Sequence, residues 1–250
     1  MSEGFAVALA LPQLAPLLIL TFLSGMVYGF AGFGAALVFM PIASALIDPV
    51  LAIAAFALSA LSSLFTLVPC AWGECDKTTT ILMTLAATLT LPLGVWLLRV
   101  ADPVLIRIAI SALAALTLIV LIRGFRFSVR PGRTSSAAVA GAAGVMGGAT
   151  GLLGPIVILF NLSSGDDARR IRANTLVFLT LGSLFVLPQM AAQGVLAPLA
   201  IWLGILMLPA YAFGGLAGRA LFNPERERLY RAVAYAMIAL SIVMGLPIFG

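Results

Sequence analysis

Apolar residues run through this chain in long unbroken stretches, and polar positions are confined to short interruptions between them. Uncharged runs extend from Phe5 to Ile47, Pro49 to Gly73, Thr78 to Leu98, Ile108 to Ile122, Thr134 to Gly165, Ala173 to Gly218 and Ala232 to Gly250. Most exceed the ~20 residues that carry a helix across a bilayer. Such segments must be helical, because lipid offers the backbone no hydrogen-bond partners. The pattern predicts a broken apolar segment over 12–47, followed by helices over 50–70, 78–99 and 103–122. A second broken segment over 135–165 precedes helices over 168–189, 195–218 and 226–248. Asp48-Pro49, Asp102-Pro103 and Asn223-Pro224 read as helix starts, with an Asx cap followed by Pro at the first helical position.

The two halves carry the same punctuation. Gly29-Phe30-Ala31-Gly32-Phe33-Gly34 returns 119 positions later as Gly148-Ala149-Thr150-Gly151-Leu152-Leu153-Gly154. Asp48 returns as Asp167, Ser63-Leu64-Phe65 as Ser183-Leu184-Phe185, and Pro69 as Pro188. Arg99 with Asp102-Pro103 returns as Arg219 with Asn223-Pro224. The chain therefore divides into a first transmembrane repeat over 1–122, a basic cytoplasmic linker over 123–136 and a second transmembrane repeat over 137–250. A duplicated, glycine-interrupted apolar segment is the sequence pointer to a transporter whose site lies between two repeats.

Composition narrows the class further. A mean hydropathy of +1.17, with 62% apolar and 9% charged residues, excludes an ordinary soluble domain. The net charge of +5 reads as a determinant of membrane orientation rather than of nucleic-acid binding. Residues 1–20 lack any Lys or Arg, so the amino terminus does not read as a cleaved signal. Histidine is absent, which removes the commonest metal ligand and the commonest general base. Cys70 and Cys75 form no metal-ligand pattern and read as small apolar residues. No metal, no cofactor and no enzymatic activity are expected.

Charge also selects a topology. If each broken segment crossed the membrane once, basic residues would be spread over both faces. If each instead re-enters as a hairpin, all 14 basic residues except Arg99 and Arg107 fall on one face. The positive-inside rule favours the second arrangement. Each repeat then has three crossings, and an odd number makes the two repeats inverted with respect to one another. The expected fold is thus an all-α polytopic membrane protein of two inverted repeats. Each repeat is a glycine-broken, re-entrant segment plus three transmembrane helices.

The glycine motifs are the candidate site. Gly29, Gly32, Gly34, Gly148, Gly151 and Gly154 permit positive φ and close backbone approach. A break between half-helices exposes amides at the positive end of a helix dipole, which suits an anion without any buried Arg or Lys. The same glycines also suit tight helix packing, although their recurrence in register favours a site. Neighbouring Tyr28, Phe33, Ser63, Thr150, Leu152, Asn174 and Thr175 complete the candidate substrate-binding set. Asn174 stands out because it lies a turn inside a helix in an otherwise apolar run. Arg172 reads either as an anion-steering residue or as an interfacial anchor. All nine carboxylates fall at predicted interfaces, so no intramembrane proton relay is evident. Facilitated efflux of an anion, driven by an inside-negative potential worth ~2.3 kcal/mol per charge per 100 mV, then needs no coupling ion.

The Gly-x-x-Gly-x-Gly opening, the following apolar stretch with Pro41, its repetition in the second half and the length resemble the TauE/SafE sulfite exporter family. The resemblance covers essentially the whole chain. It implies a multi-pass permease of the bacterial inner membrane that exports sulfite, sulfoacetate or a related organosulfonate. Import, or carriage of another small anion such as thiosulfate, sulfate or a carboxylate, stays open, as does proton coupling. The chain departs from the family pattern at Ala35-Ala36 and at Pro155, where a glycine run would continue.

Overall fold

The computed structural model describes residues 2–124, 132–221 and 227–245, with side chains placed for 4–124, 132–221 and 232–245. Every regular element among them is an α-helix. The first half contains α1 (Ser2–Leu9), α2 (Leu14–Ala31), α3 (Ala35–Leu46), α4 (Pro49–Ala60), α5 (Ser63–Thr66), α6 (Val68–Ala71), α7 (Lys77–Val100) and α8 (Pro103–Ile122). The second contains α9 (Arg133–Thr150), α10 (Gly154–Leu162), α11 (Ala168–Ala192), α12 (Pro198–Leu221) and α13 (Glu227–Gly245). Six segments are long and apolar enough to cross a membrane: α2, Pro49–Thr66, α7, α8, α11 and α12. Large side chains such as Leu89, Phe213 and Ile19 point outward, as lipid-facing residues do.

Asx caps start helices at the expected Asp48 and Asp102, and Asp167 does the same before α11. Asp48 Oδ1 accepts from the Val50 amide at 2.9 Å, Asp102 Oδ1 from Val104 at 2.7 Å and Asp167 Oδ1 from Arg170 at 2.8 Å. Each cap satisfies an amide that the first helical turn leaves without a partner, worth about 1 kcal/mol. The expected cap at Asn223-Pro224 lies outside the described residues, as do positions 125–131 of the linker.

Two differences from the sequence reading stand out. The predicted helix over 50–70 is interrupted after Ala60 and again at Leu67. Ser62 Oγ donates to the Ser59 carbonyl and Thr66 Oγ1 to the Ser62 carbonyl, drawing on the backbone acceptors there. Pro69 then removes an amide from the next turn. The second difference is α1, a short helix whose Phe5 packs edge-on against Trp202 at 5.5 Å between ring centroids.

Packing exchanges elements between the halves. The helix before the first break, α2, lies on α12, and its counterpart α9 lies on α7. Likewise α4 packs on α12 and α11 on α7, while α3 packs on α13 and α10 on α8. The α2–α12 and α7–α9 crossings are backbone to backbone. Gly25 and Gly29 sit against the carbonyls of Tyr211 and Gly215, and Gly214 and Gly218 against those of Phe22 and Met26. Gly144 and Gly148 sit against the carbonyls of Ala87 and Leu91, with Gly94 against that of Val145. Apolar burial gives helices little reason to associate in lipid, so close backbone approach and dispersion supply the attraction. Thr90 adds an interhelical bond to the Gly141 carbonyl at 2.7 Å. Pro41 inside α3 deprives the Leu37 carbonyl of its helical partner, and Ser241 on α13 donates into that gap, 2.7 Å from Val38 O and 3.2 Å from Leu37 O.

Candidate functional site

The two glycine motifs are breaks in the helical backbone. Gly32 ends α2 at φ +77°, and Gly34 precedes α3 at φ +90°. Gly151 ends α9 at φ +74°, and α10 starts three residues later. At both breaks the consecutive helices stay in contact, α3 with α2 and α10 with α9.

A cavity lies between the breaks, with about 50 Å³ open to the centres of water molecules, enough for more than one. Phe33, Gly34 and the first residues of α3 (Ala35, Ala36 and Leu37) line one side. Gly151, Leu153, Gly154 and Pro155 line the other. Four polar side chains join them: Tyr28, Thr180, Ser183 and Tyr211. The Tyr28 hydroxyl donates to the Leu176 carbonyl at 2.7 Å and lies 2.9 Å from the Thr180 hydroxyl. Ile53, Phe56 and Ala57 form an apolar wall, and no charged residue lines the cavity.

Of the sequence-predicted site residues, Tyr28, Phe33, Gly34, Gly151 and Gly154 line this cavity. The others sit around it. Gly29 and Gly148 are in the tight helix crossings. Gly32 lies against the Arg172 side chain. Thr150 Oγ1 donates to the Met146 carbonyl at 2.7 Å and accepts from the Leu152 amide at 3.3 Å, closing the end of α9. Ser63 and Leu152 are fully buried, outside the lining. Thr175 accepts from Asn161 Nδ2 at 2.8 Å.

Asn174 serves a different contact. Its Oδ1 accepts from the amide of Asp76 at 2.7 Å, joining α11 to the start of α7. Asp76 in turn caps α7, accepting from the Thr79 hydroxyl at 2.8 Å and amide at 3.2 Å. Those bonds, the hydroxyl's foremost, hold the Asp76 carboxyl below its usual range. Next to it, burial pushes the Cys75 thiol up.

Thr180, Ser183 and Tyr211 line the cavity without having been singled out from sequence for the site. A signal existed for Ser183, the repeat partner of Ser63, and for Tyr211, a rare hydroxyl within an apolar run.

Beyond the first break lies a wider hollow of about 360 Å³, open to solvent and lined by Leu67, Cys70, Ala71, Glu74, Arg169, Arg172 and Arg219. Arg172 Nη2 donates to the carbonyl of Gly29, one of those that the last turn of α2 leaves without a helical partner.

Residues 17–244 match the family model described as Sulfite exporter TauE/SafE. The chain belongs to the TauE/SafE sulfite exporter family. Among curated proteins and among solved structures, none matches it. Membership, together with six helices able to span a bilayer, makes the chain a multi-pass membrane transporter, in a family whose members move sulfur anions such as sulfite. Among the described residues no group of His, Cys, Asp and Glu is placed to hold a metal ion.

Proposed function

We propose that the chain exports a small sulfur-containing anion, sulfite or an organosulfonate such as sulfoacetate, across the plasma membrane of a bacterium. The cavity between the two glycine breaks is the transport site in this reading. The observation that carries it is the convergence of both motifs, 119 positions apart, on one uncharged hollow with four hydroxyl groups. The N-terminal residues of α3 and α10 face into it, so main-chain amides and the positive ends of two helix dipoles are available to an oxyanion. Pro155 removes one amide from the α10 side, which weights anion binding toward α3. The hydroxyl protons of Tyr28, Thr180 and Ser183 are directed at the Leu176 carbonyl, the Tyr28 oxygen and the Leu179 carbonyl, so these three form a polar wall, and Tyr211 is the hydroxyl that this reading assigns to a sulfonate or sulfite oxygen.

The reciprocal exchange of packing partners between the halves supports a two-fold relation between the repeats. In this reading they are inverted, with α2 part of a re-entrant segment and α13 completing three crossings in the second half. With no charge in the cavity lining, the membrane potential is the driving force in this reading. Outward movement of an anion gains ~2.3 kcal/mol per charge per 100 mV.

The test is flux from proteoliposomes loaded with sulfite or sulfoacetate, with the potential clamped and no pH gradient. Potential-dependent efflux that disappears in Gly151→Val is the expected result. Flux that requires a proton or sodium gradient overturns the uncoupled mechanism, and absence of flux for both anions overturns the substrate assignment.

A further inference from the structure

The solvent-open hollow beside the first break is built from residues of both halves. Cys70 and Glu74 come from the end of the α4–α6 run and the turn after it, Arg169 and Arg172 from the first turns of α11, and Arg219 from the last turn of α12. Three arginines against one carboxylate leave two positive charges around about 360 Å³, large enough for a small organic anion. Arg172 is not a loose surface side chain. Its guanidinium is held by the Gly29 carbonyl, and its stem occupies the space beside Gly32, so it forms the inner wall of the hollow. Arg219 reaches toward the Thr66 carbonyl at 3.5 Å, which ties the opposite wall to α5.

The two hollows therefore flank one glycine break. The arginine-lined one borders it through Arg172, which contacts Gly29 and Gly32, and the uncharged cavity meets it at Phe33 and Gly34. Their chemistries are complementary. A charged vestibule raises the local concentration of an anion and sheds part of its hydration by charge-assisted hydrogen bonds. An uncharged cavity beyond it binds weakly enough to let the anion leave, and conduction needs both properties.

We propose that this vestibule is a second anion site, in series with the cavity, which binds a small dianionic oxyanion or sulfonate through Arg169, Arg172 and Arg219. The proposal rests on the transport reading for its direction of flow but not for its binding. Guanidinium forks suit the paired oxygens of a sulfonate, sulfite or carboxylate, and a charge excess of two matches a dianion better than a monoanion. Glu74 on the same rim disfavours a still higher negative charge.

Cys70 supplies the reporter, because it is exposed and lines the vestibule, and Cys75→Ser leaves it as the chain's sole thiol. Full-length protein with Cys75→Ser in phosphatidylcholine nanodiscs is treated with iodoacetate or iodoacetamide, each rate normalised to that of free cysteine. The vestibule predicts a normalised preference of about tenfold for the anionic reagent. It also predicts saturable protection of Cys70 by sulfoacetate and much weaker protection by acetate. Sulfoacetate is the probe because sulfite consumes alkylating reagents.

Arg169→Gln and Arg219→Gln should each weaken protection several-fold. Arg170→Gln removes the same charge from the same helical turn but outside the vestibule, where Arg170 lies 3.9 Å from Asp166, and should leave protection unchanged. Equal normalised rates without sulfoacetate protection overturn the site, and so does an Arg170→Gln effect equal to that of Arg169→Gln, which would mean a diffuse field. In nanodiscs containing phosphatidylglycerol, sulfoacetate protection should persist. If the lipid alone protects Cys70 and sulfoacetate does not, the site belongs to a headgroup and the proposal falls. Flux without protection removes the vestibule and leaves the transport reading; protection without flux does the reverse.

Discussion

Arg172 donates a hydrogen bond to the carbonyl of Gly29, 143 residues earlier in the chain. The contact places a cation at the carbonyl end of α2, where the helix dipole is negative and the last turn has acceptors to offer. It also explains why Gly32 must be small, since a side chain there would meet the arginine stem. One arginine thus joins the first glycine break to the second half and forms the wall between vestibule and break.

The break glycines and the crossing glycines should fail differently. Gly151 holds φ +74°, and a Cβ there would lie 3.1 Å from Met40 Sδ and 3.2 Å from an Ile53 carbon. A left-handed conformation costs an L-residue about 1–2 kcal/mol. Gly151→Val is expected to abolish flux while the protein still inserts and purifies as a single species, read by size-exclusion chromatography beside the flux assay.

Gly148 and Gly29 face carbonyls of neighbouring helices at close range. Replacing either with Leu overpacks a backbone-to-backbone crossing, at about 1–3 kcal/mol. A marked fall in Tm and in the yield of monodisperse protein is the expected outcome. Normal stability with lost flux would instead place these glycines in the transport path.

Tyr28 and Thr180 hold their hydroxyls 2.9 Å apart at the cavity edge, one from each half. A double-mutant cycle of Tyr28→Phe and Thr180→Val should return a coupling of about 1 kcal/mol in unfolding free energy. Tyr28→Phe alone should also remove the hydroxyl bond to the Leu176 carbonyl and raise the substrate concentration for half-maximal flux.

Asp76 caps α7 and receives the Thr79 bonds that hold its carboxyl below the usual 3.8. A depressed folded-state value means the carboxylate's contribution is complete above the unfolded value and is lost as pH falls through the folded one. Melting measured between pH 7 and about pH 3 should therefore show an acid-side loss that is smaller in Asp76→Asn. Asp76→Ala should destabilise by about 1 kcal/mol at neutral pH.

Local chemistry made much of this fold legible. Asp48-Pro49 and Asp102-Pro103 start helices because an Asx cap and a proline act within one turn. The breaks at Gly32–Gly34 and Gly151 were visible because positive φ is a property of glycine itself. The interruption after Ala60 was harder to read. It depends on Ser62 and Thr66 turning their hydroxyls onto the backbone, an option that serine and threonine in a helix need not take.

The sequence alone determined that the chain is a membrane protein of long helices, duplicated around two glycine breaks, because hydropathy, capping and backbone permissiveness act within single segments. Only the tertiary structure decided which glycines bend the chain and which let helices touch, that Asn174 meets Asp76 rather than the cavity, and that Thr180, Ser183 and Tyr211 line that cavity. Those outcomes rest on how helices more than a hundred residues apart are packed. Side-chain convergence follows from the relative rotation and height of neighbouring helices, and no residue's local propensity encodes either.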